Sequence, residues 1–420
     1  MRAGARKTLL GAALLWCAFE LAHVSEADAA PFQFGACVHL ALGRSNATAV
    51  VSALRQAGFD SFRDDVFWGP METQRGVLQF PQSFGELDRA VSAMRQAGGR
   101  PVLILDYGNK FYDNGGLVVT DEALDAFERY VRYVVRHFGN RVDQYEVWNE
   151  WNTGFGSNPK QSTGDPVAYY RLLKRVYQAV KSENPHAAVI GGAVAGTDLR
   201  WSKALFQAGG LNYLDAFSVH SYTLFHLHSN PEVAIRILDL LRQAMRDSSP
   251  QREIPVFVTE MGWPTNIGNL GVSEDQAAGY LVRFLALVSA RPWIAGVWWY
   301  DLIDDGQSDS DAEQRFGLLH TGLTPKPAYG AASRMAPLLK SSKDVHSYRL
   351  SAGGYAVTGK SDALEWLIAW KLEPAVQGWA EGIAEATDAG KQFDWTATDL
   401  PDNGSPVFWH KAQGKWAMNP

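Results

Sequence analysis

One pattern runs from Phe34 to about Leu339 and leaves this chain few folds to choose from. A short apolar run ends in polar and aromatic residues, a stretch of helical periodicity follows, and the cycle occurs eight times. The apolar runs are "FGACVHL", "FDSFRDDV", "RPVLILD", "QYEVWNE", "AAVIGG", "DAFSVHS", "IPVFVTE" and "IAGVWWYD". Several helical stretches stop at Gly58, Gly98, Gly139 and Pro185, just before the next strand. In "EDQAAGYLVRFLALVSA", Ala278, Leu281, Leu285 and Val288 recur in steps of three and four, as a packed helix face requires. Strict alternation of strand and helix makes the strands parallel, with right-handed crossovers. Eight units predict an α/β fold, a closed (β/α)8 TIM barrel, over an open doubly wound sheet. No Gly-x-Gly-x-x-Gly follows the first strand, so a dinucleotide-binding sheet lacks its fingerprint.

The texture changes after about Ser341. "HSYRLSAGGYAVTGKSDALEWLIAWKLEP" and "KQFDWTATDLPDNGSPVFWHKA" alternate in steps of two, broken by Gly, Asn and Pro. A small all-β, sandwich-like domain is expected over 341–420, behind a barrel over 30–340. Its six tryptophans are either sugar platforms or the core of a small sandwich. At the other end, Arg2, Arg6 and Lys7 precede the apolar "TLLGAALLWCAF", and "ADA" at Ala27–Ala29 fits a cleavage site. Residues 1–29 therefore read as a signal peptide, and the protein as exported, periplasmic or secreted. An uncleaved anchor, loosely associating the protein with the membrane or export machinery, is the alternative. Loss of Cys17 with the leader leaves Cys37 alone, so no disulfide and no cysteine metal cluster is expected. A net charge of −6 argues against nucleic acid as the partner, because phosphate binding needs a basic field.

In a barrel the chemistry sits where strands end and helices have yet to begin. Those positions hold His39, then Arg63 and Asp64, then Asp106, Tyr107 and Asn109, then Asn149 and Glu150 with Trp151. They continue with His220 and Tyr222, Glu260 with Trp263, and Trp298, Trp299 and Asp301. Glu150 and Glu260 end strands four and seven, on different walls of one mouth. Hydrolysis of a glycosidic bond needs such a pair, one carboxyl protonated and the other ionised. Arg63 and Tyr222 can hold Glu260 ionised, which suits a nucleophile. Glu150 sits among Trp148, Asn149 and Trp151, an aromatic setting that would raise its pKa and suit a general acid. His220 and Tyr222, two apart on a strand, share a face. His39 is either a substrate contact or a structural histidine, and Asp106 either a sugar ligand or a loop cap. Trp299, with Trp298 as its alternate, either floors the pocket or fills the core, because a one-residue slip exchanges inside and outside. No serine nucleophile elbow, His-Glu-x-x-His motif or phosphate loop occurs.

"VWNEWN", "VTEMGWPT", "VHSY" and Arg63 resemble the clan of retaining glycoside hydrolases built on a (β/α)8 barrel. Within it the chain most resembles glycoside hydrolase family 39, in particular exported members that cleave a biofilm exopolysaccharide internally. The resemblance implies Glu150 as acid/base, Glu260 as nucleophile and Asn149 on the sugar 2-hydroxyl. It further implies Tyr222 and Arg63 as positioners of Glu260, with His220 and Trp299 along the sugar subsite. A polysaccharide or oligosaccharide is then the partner, no metal or organic cofactor is called for, and a monomer is expected. The long loops "YGNKFYDNGG" and "WNTGFGSNPKQSTGDP" would wall an open cleft, which favours endo-cleavage. The alternatives are a carbohydrate-binding or export scaffold that does no chemistry, and a transglycosylase using the same residues.

Overall fold

In the computed structural model the eight predicted strands close on themselves. The structure describes residues 32–160, 163–223, 230–350, 353–362, 364–372, 400–412 and 415–418. The barrel strands are β1 (Gln33–Cys37), β2 (Ser61–Phe67), β3 (Val102–Asp106), β4 (Gln144–Val147), β5 (Ala188–Ala195), β6 (Ala216–His220), β7 (Val256–Met261) and β8 (Ile294–Trp299). All neighbours are parallel, and β8 returns to β1 through the pairing of Gly35 with Trp298 and Ala36 with Trp299. Cys37, Val102, Ile190, Ala216, Phe257 and Trp298 pack together inside. Trp298 fits only because its neighbours lack side chains. A Cβ on Gly35 would come within 2.6 Å of the indole, and one on Gly296 within 2.8 Å. The indole N–H donates to Ser61 Oγ at 2.8 Å.

The outer layer is α1 (Ala47–Gln56), the single turn α2 (Trp68–Met71), α3 (Gly85–Gln96), α4 (Asp121–Phe138), α5 (Pro166–Glu183), α6 (Leu199–Gln207), α7 (Pro231–Ser248), α8 (Glu274–Ser289) and α9 (Pro327–Ser341). Helix α4 shows why they form. Thr120 caps its first turn through Ala123 N, Leu124, Phe127, Val131, Val134 and Phe138 face the barrel, and Gly139 at φ +51° ends it. Each such buried side chain contributes about 1.5–3 kcal/mol. Helix α8 differs, since it is buried continuously from Tyr280 to Val288. A helix buried all round must be covered on both sides, and here the second cover includes Gly404 and Pro406, which lead into the C-terminal strands.

Those strands are β9 (Lys343–Arg349), β10 (Gly354–Lys360), β11 (Glu365–Lys371), β12 (Val407–Ala412) and β13 (Lys415–Met418). They form one antiparallel sheet in the order β13-β12-β11-β10-β9. Among the described residues the all-β module is this single sheet. One face, with Tyr355, Val357, Trp366, Ile368 and Trp370, joins the core of the barrel. Trp366, Trp370 and Trp409 are buried, so these three are core residues and not exposed platforms. Trp379 and Trp395 lie outside the described residues, as does the side chain of Trp416. The leader read in residues 1–29 also lies outside them. Among the described residues no helix is long and apolar enough to cross a membrane.

Candidate active site

The chain leaves β4 through two left-handed residues, Trp148 at φ 64° and Glu150 at φ 51°. Each costs a non-glycine residue about 1–2 kcal/mol, which packing must offset. Trp148 turns back into the core against Tyr107, Phe127 and Trp151, and its N–H donates to Phe155 O at 3.0 Å. Trp151 is also fully buried, packs at a tilt against Tyr169 and donates to Asp165 O at 3.1 Å. Glu150 N donates to Ala193 O at 3.0 Å. The turn is thereby fixed, with Asn149 and Glu150 left facing the mouth. This corrects the expectation for Trp151. Its ring is a rivet behind the loop, with its N–H committed, and does not face a ligand.

Arg63 is the hub. Its buried side chain donates from Nε to Glu146 Oε2 at 2.5 Å and from Nη1 to Glu260 Oε1 at 2.7 Å. Nη2 donates to Asn149 Oδ1 at 2.9 Å and lies 3.4 Å from His220 Nε2. Burial lowers the guanidinium pKa, but the charges of Glu146 and Glu260 outweigh it and hold Arg63 well above its ordinary value. Because arginine only donates, His220 Nε2 accepts, and the imidazole proton sits on Nδ1. That N–H reaches Glu150 Oε1 at 2.8 Å, with Glu260 Oε2 at 3.5 Å. Tyr222 Oη donates to Glu260 Oε2 at 2.9 Å. Burial, and then the charge of Glu260, pushes the Tyr222 phenol well above its ordinary range, so it remains a donor. Asn149 Nδ2 donates to Tyr107 Oη at 3.0 Å, which fixes the amide's orientation. One oxygen of Glu150 and one of Glu260 lie within 4.8 Å of each other, with His220 between them. Glu260 is 10% exposed at its side chain and Glu150 22%, so Glu150 is the more open of the two.

Arg63, Asn149, Glu150, His220, Tyr222 and Glu260 are therefore one network, with Tyr107 at its edge. His39 lies to one side. Its Nδ1 meets Asp305 Oδ1 at 2.8 Å and Asp301 Oδ2 at 3.7 Å, and Arg44 pairs with Asp305. Burial lowers the imidazole, but the bond to Asp305 and the two aspartate charges raise it to about 9. These residues line a cavity of about 200 Å³ between the loops after β1 and β8. Asp106 is fully buried at the C-terminal end of β3, and burial together with the charge of Asp65 pushes its carboxyl well up. It is no open sugar ligand in this structure. Asn109 closes its own loop, bonding Glu72 O and Phe111 N.

The aromatic positions at β7 and β8 need correcting. Trp299 pairs in register with Ala36 and Met261, both outward-facing, and packs with Trp263 between the barrel and its helices. Trp263 is buried there too, against Tyr280. Trp298 points inward but lies deep. The ring that reaches the mouth is Tyr300, two residues after Trp298, against Tyr222, Phe316 and His39. Two acidic residues also escaped the sequence reading. Glu146 was visible as a charge inside an apolar strand, four residues before Glu150. Glu313, beyond β8, has its carboxyl pushed up by burial and then by the charge of Glu260; no sequence pattern signals it.

The model of the family described as Cellulase (glycosyl hydrolase family 5) matches residues 25–300. The chain belongs to this family. A β-xylosidase of Geobacillus stearothermophilus is 24% identical over 325 residues, spanning 69% of this chain and 62% of that protein, less than two thirds of its length. A solved family 39 glycoside hydrolase from the gut symbiont Bacteroides cellulosilyticus is 28% identical, with a TM-score of 0.70 over 82% of this chain and 71% of that one. A GH5_18 structure from Streptomyces cattleya, at 18% identity and TM-score 0.60 over 74% and 81%, shares the fold. The motifs resembled family 39; the matching model is that of family 5, and solved members of both families share this barrel.

Proposed function

We propose that the protein is a retaining glycosidase acting by double displacement. Glu260 attacks the anomeric carbon as the glycosidic bond breaks, and Glu150 gives its proton to the leaving oxygen. Glu150 then takes a proton from water, the water attacks the same carbon, and Glu260 leaves. The observation that carries this reading is the close approach of the two carboxylates, with oxygens within 4.8 Å. Retaining pairs stand about 5–5.5 Å apart, whereas inverting pairs leave about 6.5–9.5 Å for a water. The division of labour follows from the donors. Glu260 accepts from Arg63 and Tyr222, which hold its two oxygens in place for attack. Glu150 accepts from the His220 Nδ1–H and is the more open of the two, where a leaving group and then water can reach it. Asn149 has one amide hydrogen left for a sugar 2-hydroxyl. His39, Arg63, Tyr107, His220 and Tyr222 complete the substrate surroundings.

For substrate, the same reading takes an exported polysaccharide, an exopolysaccharide, cut internally. The leader in residues 1–29 and the long loops after β3 and β4 support it. The test is direct. Glu150→Gln and Glu260→Gln are assayed with the wild type on a panel of exopolysaccharides and aryl glycosides. A slow 2-fluoro glycoside should leave one sugar on the peptide holding Glu260, detectable by mass spectrometry, and oligosaccharides should precede monosaccharide. Full activity in either variant, or inverted product by NMR, would reject the mechanism. Release of monosaccharide alone would reject internal cleavage and leave an exo-acting enzyme such as the Geobacillus relative's name describes.

A further inference from the structure

We propose that Glu146, beneath the mouth on β4, is a positioning residue that anchors the Arg63 guanidinium and shares its charge; this rests on reading Glu260 as the nucleophile. Glu146 is wholly buried, and its Oε1 has no hydrogen-bond partner among the described residues. A buried carboxylate with an orphan oxygen is poor economy for stability alone, since an apolar side chain of similar size is often neutral or better there. Such a breach of packing rules marks residues kept for a site.

The geometry says what it does. Arg63 has five N–H donors in one plane. Nη1 faces Glu260 and, at 3.9 Å, Cys37 Sγ; Nη2 faces Asn149 and His220; Nε faces Glu146. Four of these partners belong to the mouth or the wall just under it. Glu146 alone holds the back of the fork, so it sets the plane in which the other contacts are made. A tilt of that plane would move the donor on Glu260 and the donor on Asn149 together. Charge matters as much. One guanidinium serves two buried carboxylates. Were Glu146 neutral, Arg63 would act wholly on Glu260, holding the anion more tightly and making it a weaker nucleophile. The other ionisable groups facing the pair are Asp106 and Tyr169 near Glu146, and Glu150, Tyr222, His220, Cys37, Tyr300 and Glu313 near Glu260.

Two variants separate position from charge. Glu146→Gln keeps the reach and loses the charge; Glu146→Asp keeps the charge and loses the reach. In Glu146→Gln the acidic limb of the kcat profile should move about one pH unit toward acid, because a negative neighbour of Glu260 is gone. Its kcat should fall about tenfold with KM little changed, as for an interaction that matters in the transition state. Glu146→Asp should lose kcat similarly without moving the limb. A carbon-13 NMR titration of the Glu260 carboxyl, which needs no substrate, should show the same acid shift in Glu146→Gln. Wild-type kcat in both variants, or an unmoved Glu260 titration, overturns the proposal. Should Glu146→Gln fail to fold, unchanged kcat in Glu146→Asp overturns it alone. Glu260→Gln run alongside keeps the two readings apart, since activity there rejects the nucleophile assignment whatever Glu146 does.

Discussion

Asp106 is an acid placed where water does not reach, buried at the C-terminal end of β3, and burial and Asp65 hold its pKa well above the ordinary value. The sign of its effect follows. A carboxyl with a raised folded pKa contributes stability that is complete below its unfolded pKa of about 3.9 and is lost as pH rises through the folded value. Asp106→Asn keeps the shape and a donor for Asp65 but cannot ionise. Thermal unfolding should therefore show the variant gaining on the wild type as pH rises above about 4. A constant difference across that range would mean that Asp106 does not titrate as argued. The residue also shows how far sequence reading reaches. Its position at a strand end was legible, and so were Arg63, Asn149, Glu150, His220, Tyr222 and Glu260, because charged and amide groups after apolar runs are rare. Whether a carboxyl meets solvent or another carboxyl depends on a neighbouring strand, and no local pattern carries that.

At the scale of the element, β8 decides which aromatic ring meets the substrate. Three successive bulky residues, Trp298, Trp299 and Tyr300, offer either register in sequence, since alternation sets faces only relative to a known start. The start is set by pairing with β1, where Gly35 makes room for Trp298. Trp299 must then face the helices, and Tyr300 the mouth. The consequence separates two substitutions. Trp299→Ala should leave a cavity beneath α8 and cost about 3–5 kcal/mol of stability, with kcat/KM of the folded enzyme largely kept. Tyr300→Ala should cost little stability but lower kcat/KM about tenfold, because its ring touches Tyr222, which donates to Glu260. Paired denaturation and kinetic measurements check both, and the reverse pattern would restore Trp299 to the mouth. The same logic explains the loop after β4. "WNEWN" advertised an unusual strand end, but the left-handed turns that send both tryptophans inward are a tertiary outcome, set by packing against Tyr107, Phe127 and Tyr169.

At the scale of the whole molecule, the open question is what the C-terminal sheet does for the barrel. The two meet at a buried charge. Arg283 on α8 grips Glu232 on α7 through two bonds of 2.9 and 2.6 Å, and Trp370 of β11 donates its indole N–H to the same carboxylate at 2.9 Å. Arg283 Nη1 lies 3.4 Å from Gly404 O, ahead of β12. Sheet and barrel thus share one ion pair as well as one apolar core, and the all-round burial of α8 makes sense only with both in place. Sequence texture showed that an all-β segment follows the barrel, but the joint was invisible, because an arginine in an apolar helix has no partner until the fold supplies one. If the joint couples the two parts, Trp370→Phe should remove one hydrogen bond to a charged group, costing about 1.5–3 kcal/mol, and both parts should still unfold in one transition. Arg283→Met should cost about 3–5 kcal/mol by leaving Glu232 buried and unpaired. Calorimetry can tell this from independent modules. Coupling predicts one peak moving to lower temperature in both variants, with kcat near 25 °C retained because the mouth is untouched. A peak that splits, with the barrel transition unmoved, would show that the sheet is carried by the barrel without supporting it.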